Sequence, residues 1–395
     1  MKDGKQRSSA FHRLDRIRYS LLASALLLLS VSLCIAEDWP THQHDVRRSA
    51  SSSETLDFER IHELWVHRSL GYPQTAWSGP AKWDAYAEID GLRSMRNYDP
   101  VFHVTAAENS VFWGSSADDS VYCVDSTNGD ERWSYVTGGP VRIPPTYVDG
   151  RVYFGSDDGY AYCLDAESGD PVWKYCPVEK TRLIPNNGKM ISSWPCRSGV
   201  LVQDGIAYFA CAMLPWEESY LCAVNAETGQ VGGRGTYRKV LERVTMEGAM
   251  VASDTRLYVP QGRRSPMVFD RQSGEFLGTV KGGGGVFVLL TPDLHFYHGP
   301  GNKTGWITDS HAKTRDQIST YEGGNYLVVA ENVANILTDT ELLAVDRTKK
   351  KTLWRVGCKY PYCLILAGDV LLAGGDYEVA AFRTDTGEQM WSETV

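Results

Sequence analysis

From Asp99 onward the chain runs in short stretches of alternating aromatic or β-branched and polar residues, each closed by Asp or Gly. That two-residue period predicts strands, and Asp with Gly supplies the turn geometry between them. Two stretches align almost without gaps: Val111-Phe-Trp-Gly-Ser-Ser-Ala-Asp-Asp-Ser-Val-Tyr-Cys-Val-Asp125 continuing to Gly129 and Trp133, and Val152-Tyr-Phe-Gly-Ser-Asp-Asp-Gly-Tyr-Ala-Tyr-Cys-Leu-Asp165 continuing to Gly169 and Trp173. Each reads as strand, Asp/Gly turn, strand, Asp-x3-Gly turn, then a strand that carries Trp.

The same frame recurs at Asn225 with Gly229, at Asp270 with Gly274, at Asp346 with Trp354 and, more loosely, at Arg383 with Gly387 and Trp391. The intervals between these six marks are 40, 60, 45, 76 and 37 residues. The 76-residue interval holds one unmarked repeat, placed across Val286–Thr314; the 60-residue interval is one repeat plus an insertion, placed at Cys176–Pro195. A period of ~40–45 residues built from four strands predicts an all-β propeller with one repeat per blade. Residues 99–395 divide into seven blades of about 42 residues each, four antiparallel strands to a blade. Residues 37–98 remain as an N-terminal arm, whose Leu64-Trp65 resembles a Trp-bearing outer strand and would add to a neighbouring blade or begin an eighth.

Residues 1–36 read as an export signal: six Lys or Arg before Tyr19, then an apolar run from Leu21 to Ala36. Cleavage is expected before Glu37, which places the protein outside the cell or in the periplasm and cell envelope; membrane contact is expected only if the segment stays attached. Its removal takes the net charge from −9 to −13, which disfavours nucleic acid as a partner. Eight cysteines remain after Cys34 is lost. In an exported chain an even number permits disulfides, and the nearest candidate pairs are Cys211 with Cys222 and Cys358 with Cys363.

The stretch from Gly150 to Trp173 resembles the repeat of the PQQ-like, quinoprotein-type β-propellers, with the pattern G-x-V-Y-x-G-S-x-D-G-x-x-Y-x-L-D-x-x-x-G-x-x-x-W. Proteins with this repeat range from quinone-dependent dehydrogenases to non-catalytic exported scaffolds. The dehydrogenases of the family carry a vicinal Cys-Cys pair against the quinone, and no two cysteines are adjacent here. Nor does the chain contain a CxxCH haem site, a G-x-S-x-G elbow, an H-E-x-x-H motif or a phosphate loop. The expectation is a non-catalytic scaffold without a cofactor, serving an envelope or extracellular protein, a peptide or a glycan. The alternatives are an oxidoreductase using pyrroloquinoline quinone and Ca²⁺, or a carbohydrate- or peptide-binding module.

In a four-stranded blade the loop between strands two and three and the link to the next blade emerge on one face, around the channel mouth, and loops on a rigid scaffold are where binding residues concentrate. The candidates assigned there are Arg142, Asp157, Asp158, Trp194, Arg197, Trp216 and His298. Trp194-Pro-Cys-Arg197 and Pro215-Trp-Glu-Glu218 are the most distinctive because both depart from the repeat; an aromatic beside Arg suits a planar or anionic ligand or an extended peptide. Asp157 and Asp158 also have a plainer reading, as turn formers of the repeat itself.

Overall fold

The computed structural model describes residues 36–74, 76, 102–301 and 304–395. The signal segment, Asp99 at the start of the propeller, most of the stretch from 75 to 101, and Asn302 and Lys303 of the Asn-Lys-Thr sequon lie outside the described residues. The expected blades are present as seven antiparallel sheets, at 104–136, 146–175, 201–241, 251–279, 287–322, 326–357 and 363–394. Each has four propeller strands hydrogen-bonded in chain order, and no helix occurs among the described residues. The unmarked repeat is blade five. The insertion after blade two forms a separate hairpin, Leu183–Asn186 with Lys189–Ser192.

The repeat frame has a physical cause. The Asp125 carboxylate accepts a hydrogen bond from the Thr127 amide at 2.8 Å, and the Gly129 amide returns to the Asp125 carbonyl at 2.9 Å. Asp165, Asn225, Asp270 and Asp346 close their turns in the same way, through the amides of Ser168, Thr228, Ser273 and Lys349. The glycine is required because the tryptophan of the preceding blade lies on it. A Cβ at Gly169 would stand 2.7 Å from the Trp133 ring, and at Gly229 2.6 Å from Trp173. Each indole then donates to a carbonyl one residue past the first residue of the turn: Trp133 to Ala166, Trp173 to Ala226, Trp354 to Thr384. This contact fastens blade one to two, two to three and six to seven, and between blades three and four the Tyr237 ring takes the same place over Gly274.

Two junctions invert this device. In blade four Gly278 stands opposite Val268, the register position that Trp133 holds opposite Cys123 in blade one. The matching turn residue of blade five is Arg315, at φ 69°, and its guanidinium reaches back to the Leu277 carbonyl. In blade five Ser319 holds the tryptophan position, and Lys350 of blade six, at φ 53°, donates to the Ile318 carbonyl at 3.0 Å. The frame is hidden in the sequence between Asp270 and Asp346 because large and small have changed places across the junction.

Among the described residues the arm forms no eighth blade. Residues 38–54 run across the axial ends of the inner strands: Trp39 bridges Ala106 of blade one, Pro40 accepts from Tyr147 of blade two, Val46 from Ala252 of blade four, and Arg47 from Leu290 of blade five. Ser51–Ser52 then pairs in parallel with the inner strand of blade seven. Arg48, 2% exposed, donates to the Met250 carbonyl, the Thr41 hydroxyl and the His42 carbonyl at 2.8–2.9 Å. The segment fills the axis on the face opposite the loops between second and third strands.

Candidate functional site

The loop face is organised around Asp157. Gly138 and Gly139, which follow the outer strand of blade one, press against the loop of blade two so closely that a Cβ at Gly139 would lie 2.8 Å from the Asp158 nitrogen. This contact lets the Asp157 amide donate to the Pro140 carbonyl at 2.8 Å and brings Arg142 alongside. On the other flank the Ser192 amide donates to the Asp157 carbonyl at 2.8 Å and Cys196 to the Ser156 carbonyl at 2.9 Å, which delivers Arg197. The carboxylate is 1% exposed and lies between two guanidiniums: Arg142 Nε at 2.8 Å, Arg197 Nε at 2.9 Å and Arg197 Nη2 at 2.9 Å. Glu247, from the link between blades three and four, stands 3.8 Å from Arg197 Nη1.

The electrostatics follow from this geometry. Burial raises the Asp157 pKa, but the two guanidiniums outweigh it and hold the carboxyl below its ordinary range. Glu247 is equally buried with a more distant cation, so burial prevails and pushes it up to about 7. Arg142 also donates to the Gln74 carbonyl at 2.5 Å, which ties the arm to the cluster. Three expected residues, Arg142, Asp157 and Arg197, therefore meet in one buried network. Glu247 and Gln74 joined it without any sequence signal, because neither falls in the repeat frame.

Asp158 belongs to the repeat instead. It accepts from Tyr162 at 2.6 Å and from the Gly138 amide at 3.0 Å, as Asp118 accepts from Tyr122 in blade one. Asp157 has no such counterpart, since Ser116 and Ala117 occupy that stretch of the blade-one loop. Trp194 clasps the insertion to blade three: its indole donates to the Glu218 carbonyl at 2.8 Å, and Arg182 lies over its ring at 5.5 Å while pairing with Glu217 at 2.7 Å. At the hairpin tip Lys189 crosses to blade one and binds the Ala117 carbonyl at 3.0 Å and the Asp119 carboxylate. Trp216 stands at the edge of this assembly with 70% of its surface exposed.

His298 is not at the channel mouth. It lies inside a strand of blade five, fully buried, with Nε2 at 3.2 Å from the Ser310 hydroxyl and its ring stacked on Phe296; burial holds its pKa down at about 4. The cysteine pairs are also corrected: all eight described cysteines are free. Cys222 sits opposite Phe209 and Cys211 opposite Tyr220, so the register leaves the expected pair diagonal across the strands. Cys358 is buried in the link before blade seven, while Cys363 lies in the strand opposite Gly374.

Along the axis a cavity of about 50 Å³ remains, bordered by Arg142, Gly248, Tyr326 and a pair of histidines, His42 of the arm and His103 of blade one, whose rings meet edge to face at 5.3 Å. Among the described residues no group of three or more His, Cys, Asp or Glu is arranged to hold a metal ion.

The sequence profile of the family described as outer membrane protein assembly factor BamB matches residues 93–236 and 294–395. The chain belongs to this family of PQQ-like propellers. No curated protein matches it. Among solved structures, the family fold is shared with the quinohemoprotein alcohol dehydrogenase of Comamonas testosteroni, at TM-score 0.62 and 14% identity over 93% of this chain and 74% of that one. A europium-containing methanol dehydrogenase is similar at TM-score 0.60 and 11% identity, over 91% and 85% of the two chains. The computationally designed protein Ika8 is similar at TM-score 0.55 and 13% identity, over 73% and 85%. At these identities the likeness is one of fold, and a fold of this kind hosts unrelated functions.

Proposed function

We propose that this chain is a non-catalytic scaffold of the cell envelope that holds a protein partner on the loop face around Trp216 and the 183–192 hairpin. The observation that carries the reading is the arm: residues 38–54 occupy the propeller axis and leave about 50 Å³ there, against the ~300 Å³ or more that a cofactor-sized ligand takes. The residues around that cavity do not suit pyrroloquinoline quinone. The space is too small for a tricyclic ring, and the chain has no adjacent cysteines to lie against it. Asp157 spends its acceptor capacity on two arginines rather than on a cation.

The family description, outer membrane protein assembly, supports an envelope setting, and no helix among the described residues is long and apolar enough to cross a membrane. A large exposed aromatic beside a hairpin fixed at both ends, by Lys189 and by Arg182, suits an anchor for a partner. The test places a photo-crosslinking residue at position 216 and, separately, at position 172 on the outer edge of blade two, in the exporting cell. One discrete envelope-protein adduct from position 216 and none from 172 supports the reading. Reduction of a dye by the purified protein after addition of pyrroloquinoline quinone and Ca²⁺ would replace it with the oxidoreductase.

A further inference from the structure

We infer that the cleft between blades four and five is a binding site for a carboxylated sugar, as found in acidic polysaccharides. Its floor is backbone. The links and loops of the two blades approach so closely that a Cβ on Gly283 would lie 3.0 Å from the Gly301 Cα, and one on Gly284 2.5 Å from the Gly262 carbonyl oxygen. Three glycine-bearing segments thus meet with no side chain between them, beneath a cleft of about 490 Å³, inside the ~300–1,000 Å³ range of small-ligand sites.

The walls are of two kinds. On one side Trp306, 36% exposed, presents an indole, and Thr308 and Thr320 are direct cross-strand partners on the same face of blade five, with Gln317 beyond them. On the other side Arg263 and Arg264 stand at the turn of blade four, both exposed. Among the described residues no carboxylate lines this cleft, although the chain carries a net charge of −9. The two other large clefts described, of about 550 and 600 Å³, mix both signs: Asp45, Asp293 and Glu331 with Arg47 and Arg347 in one, Glu108, Asp149 and Asp165 with Arg132 and Arg151 in the other. A pocket lined by one sign of charge concentrates the opposite sign.

The chemistry of the lining selects among anions. Guanidinium matches a carboxylate in a two-bonded fork. Hydroxyl and amide groups pair with ring hydroxyls, and an indole lies against the C–H face of a pyranose. Glu322, opposite Trp306 on blade five, lies next to the cleft without lining it, and Lys281 is paired with Asp316 at 2.7 Å. The cleft is independent of the protein-binding face proposed above, which involves blades one to three.

The experiment is calorimetric titration of the full chain with a galacturonate tetrasaccharide, with the methyl-esterified tetrasaccharide and with inorganic phosphate. Saturable binding of the acid form, at least tenfold weaker binding of the ester and of phosphate, and at least tenfold loss in both Arg264→Gln and Trp306→Ala are expected, with unchanged thermal midpoints. Saturation-transfer NMR on the unaltered chain reads the stacking without a substitution, as transfer from the indole to sugar C–H protons. Absence of binding, equal binding of the ester or of phosphate, variants that bind as the parent does, or no transfer would each overturn the assignment.

Discussion

Trp65 of the arm lies over Gly129 of blade one, in the place that the tryptophan of a preceding blade would take. A Cβ at Gly129 would stand 2.6 Å from the indole, and Trp65 Nε1 donates to the Ser126 carbonyl at 2.9 Å, repeating the Trp133, Trp173 and Trp354 contacts. Blade seven's own Trp391 instead meets Phe58 of the arm at 5.5 Å. The arm thus serves as the clasp between last and first blades. Trp65→Ala is expected to cost about 2 kcal/mol, below the full value for a buried aromatic because the ring is half-buried. Gly129→Ala, at φ 75°, should cost about 1–3 kcal/mol, and urea unfolding of the two variants and their combination should give non-additive losses.

The inverted junction between blades five and six is open to the opposite test. Ser319→Trp alone drives an indole into the space crossed by Lys350. Lys350→Gly alone relieves a positive φ but gives up the bond to Ile318. The double variant recreates a tryptophan over a glycine. Its stability should exceed that of Ser319→Trp by at least about 1 kcal/mol more than the effect of Lys350→Gly in the parent, as measured by chemical denaturation.

These junctions show how much could be read from residues alone. The Asp-x3-Gly…Trp frame is local, so six of its marks, the last a loose one, gave the blades and their order, and the spacing gave the seventh. Leu64-Trp65 announced the clasp but not its geometry, since the contact lies 64 residues away at Gly129. The buried cluster was half legible: Arg142, Asp157 and Arg197 were assigned to the loops around the channel mouth, Arg197 in a stretch that departs from the repeat, yet only the fold brings positions 15 and 40 residues apart onto one carboxylate. Glu247 gave no signal, and His298 misled because a strand position and a loop position look alike beside Gly299-Pro300.

Loss of the central carboxylate should be costly. Asp157→Ala leaves two guanidiniums facing each other in a buried site, and removal of one partner from a buried ion pair costs about 3–5 kcal/mol. Asp158→Ala, which gives up bonds to Tyr162 and Gly138, should cost about 1–2 kcal/mol. Thermal and urea unfolding will rank them; equal losses would contradict the assignment of Asp157 to the network and Asp158 to the turn.

The free cysteines predict a labelling pattern. Burial pushes the Cys163 thiol up to about 12 and raises those of Cys123, Cys211 and Cys222, so almost no thiolate exists at pH 8. Cys176 and Cys363 are only half-buried. With iodoacetamide under native conditions, mass spectrometry should find these two modified first and Cys123, Cys163, Cys211 and Cys222 protected. In denaturant without reductant all eight should react; a shortfall of two would reveal a disulfide.

The pH dependence of stability sets two kinds of buried group against each other. Glu247, at about 7 against an ordinary 4.5, holds a proton in the folded chain between those values that the unfolded chain has lost. Its contribution therefore declines as pH rises through that window, by up to about 3 kcal/mol. His103 and His298, both at about 4 against 6.5, stay neutral in the folded chain where the unfolded chain takes up protons. Theirs declines as pH falls from 6.5 towards 4, by up to about 3 kcal/mol each. His42 acts in the same direction, lowered first by burial and then by the neighbouring His103 and Arg48. Three histidines outweigh one glutamate, so the parent should be less stable at pH 4.5 than at pH 6.5. Glu247→Gln removes the opposing contribution and should steepen that acid loss, whereas His103→Gln should flatten it. Because His42 and His103 meet where the arm enters the axis, hydrogen exchange at pH 4.5 should open residues 38–54 before the blades.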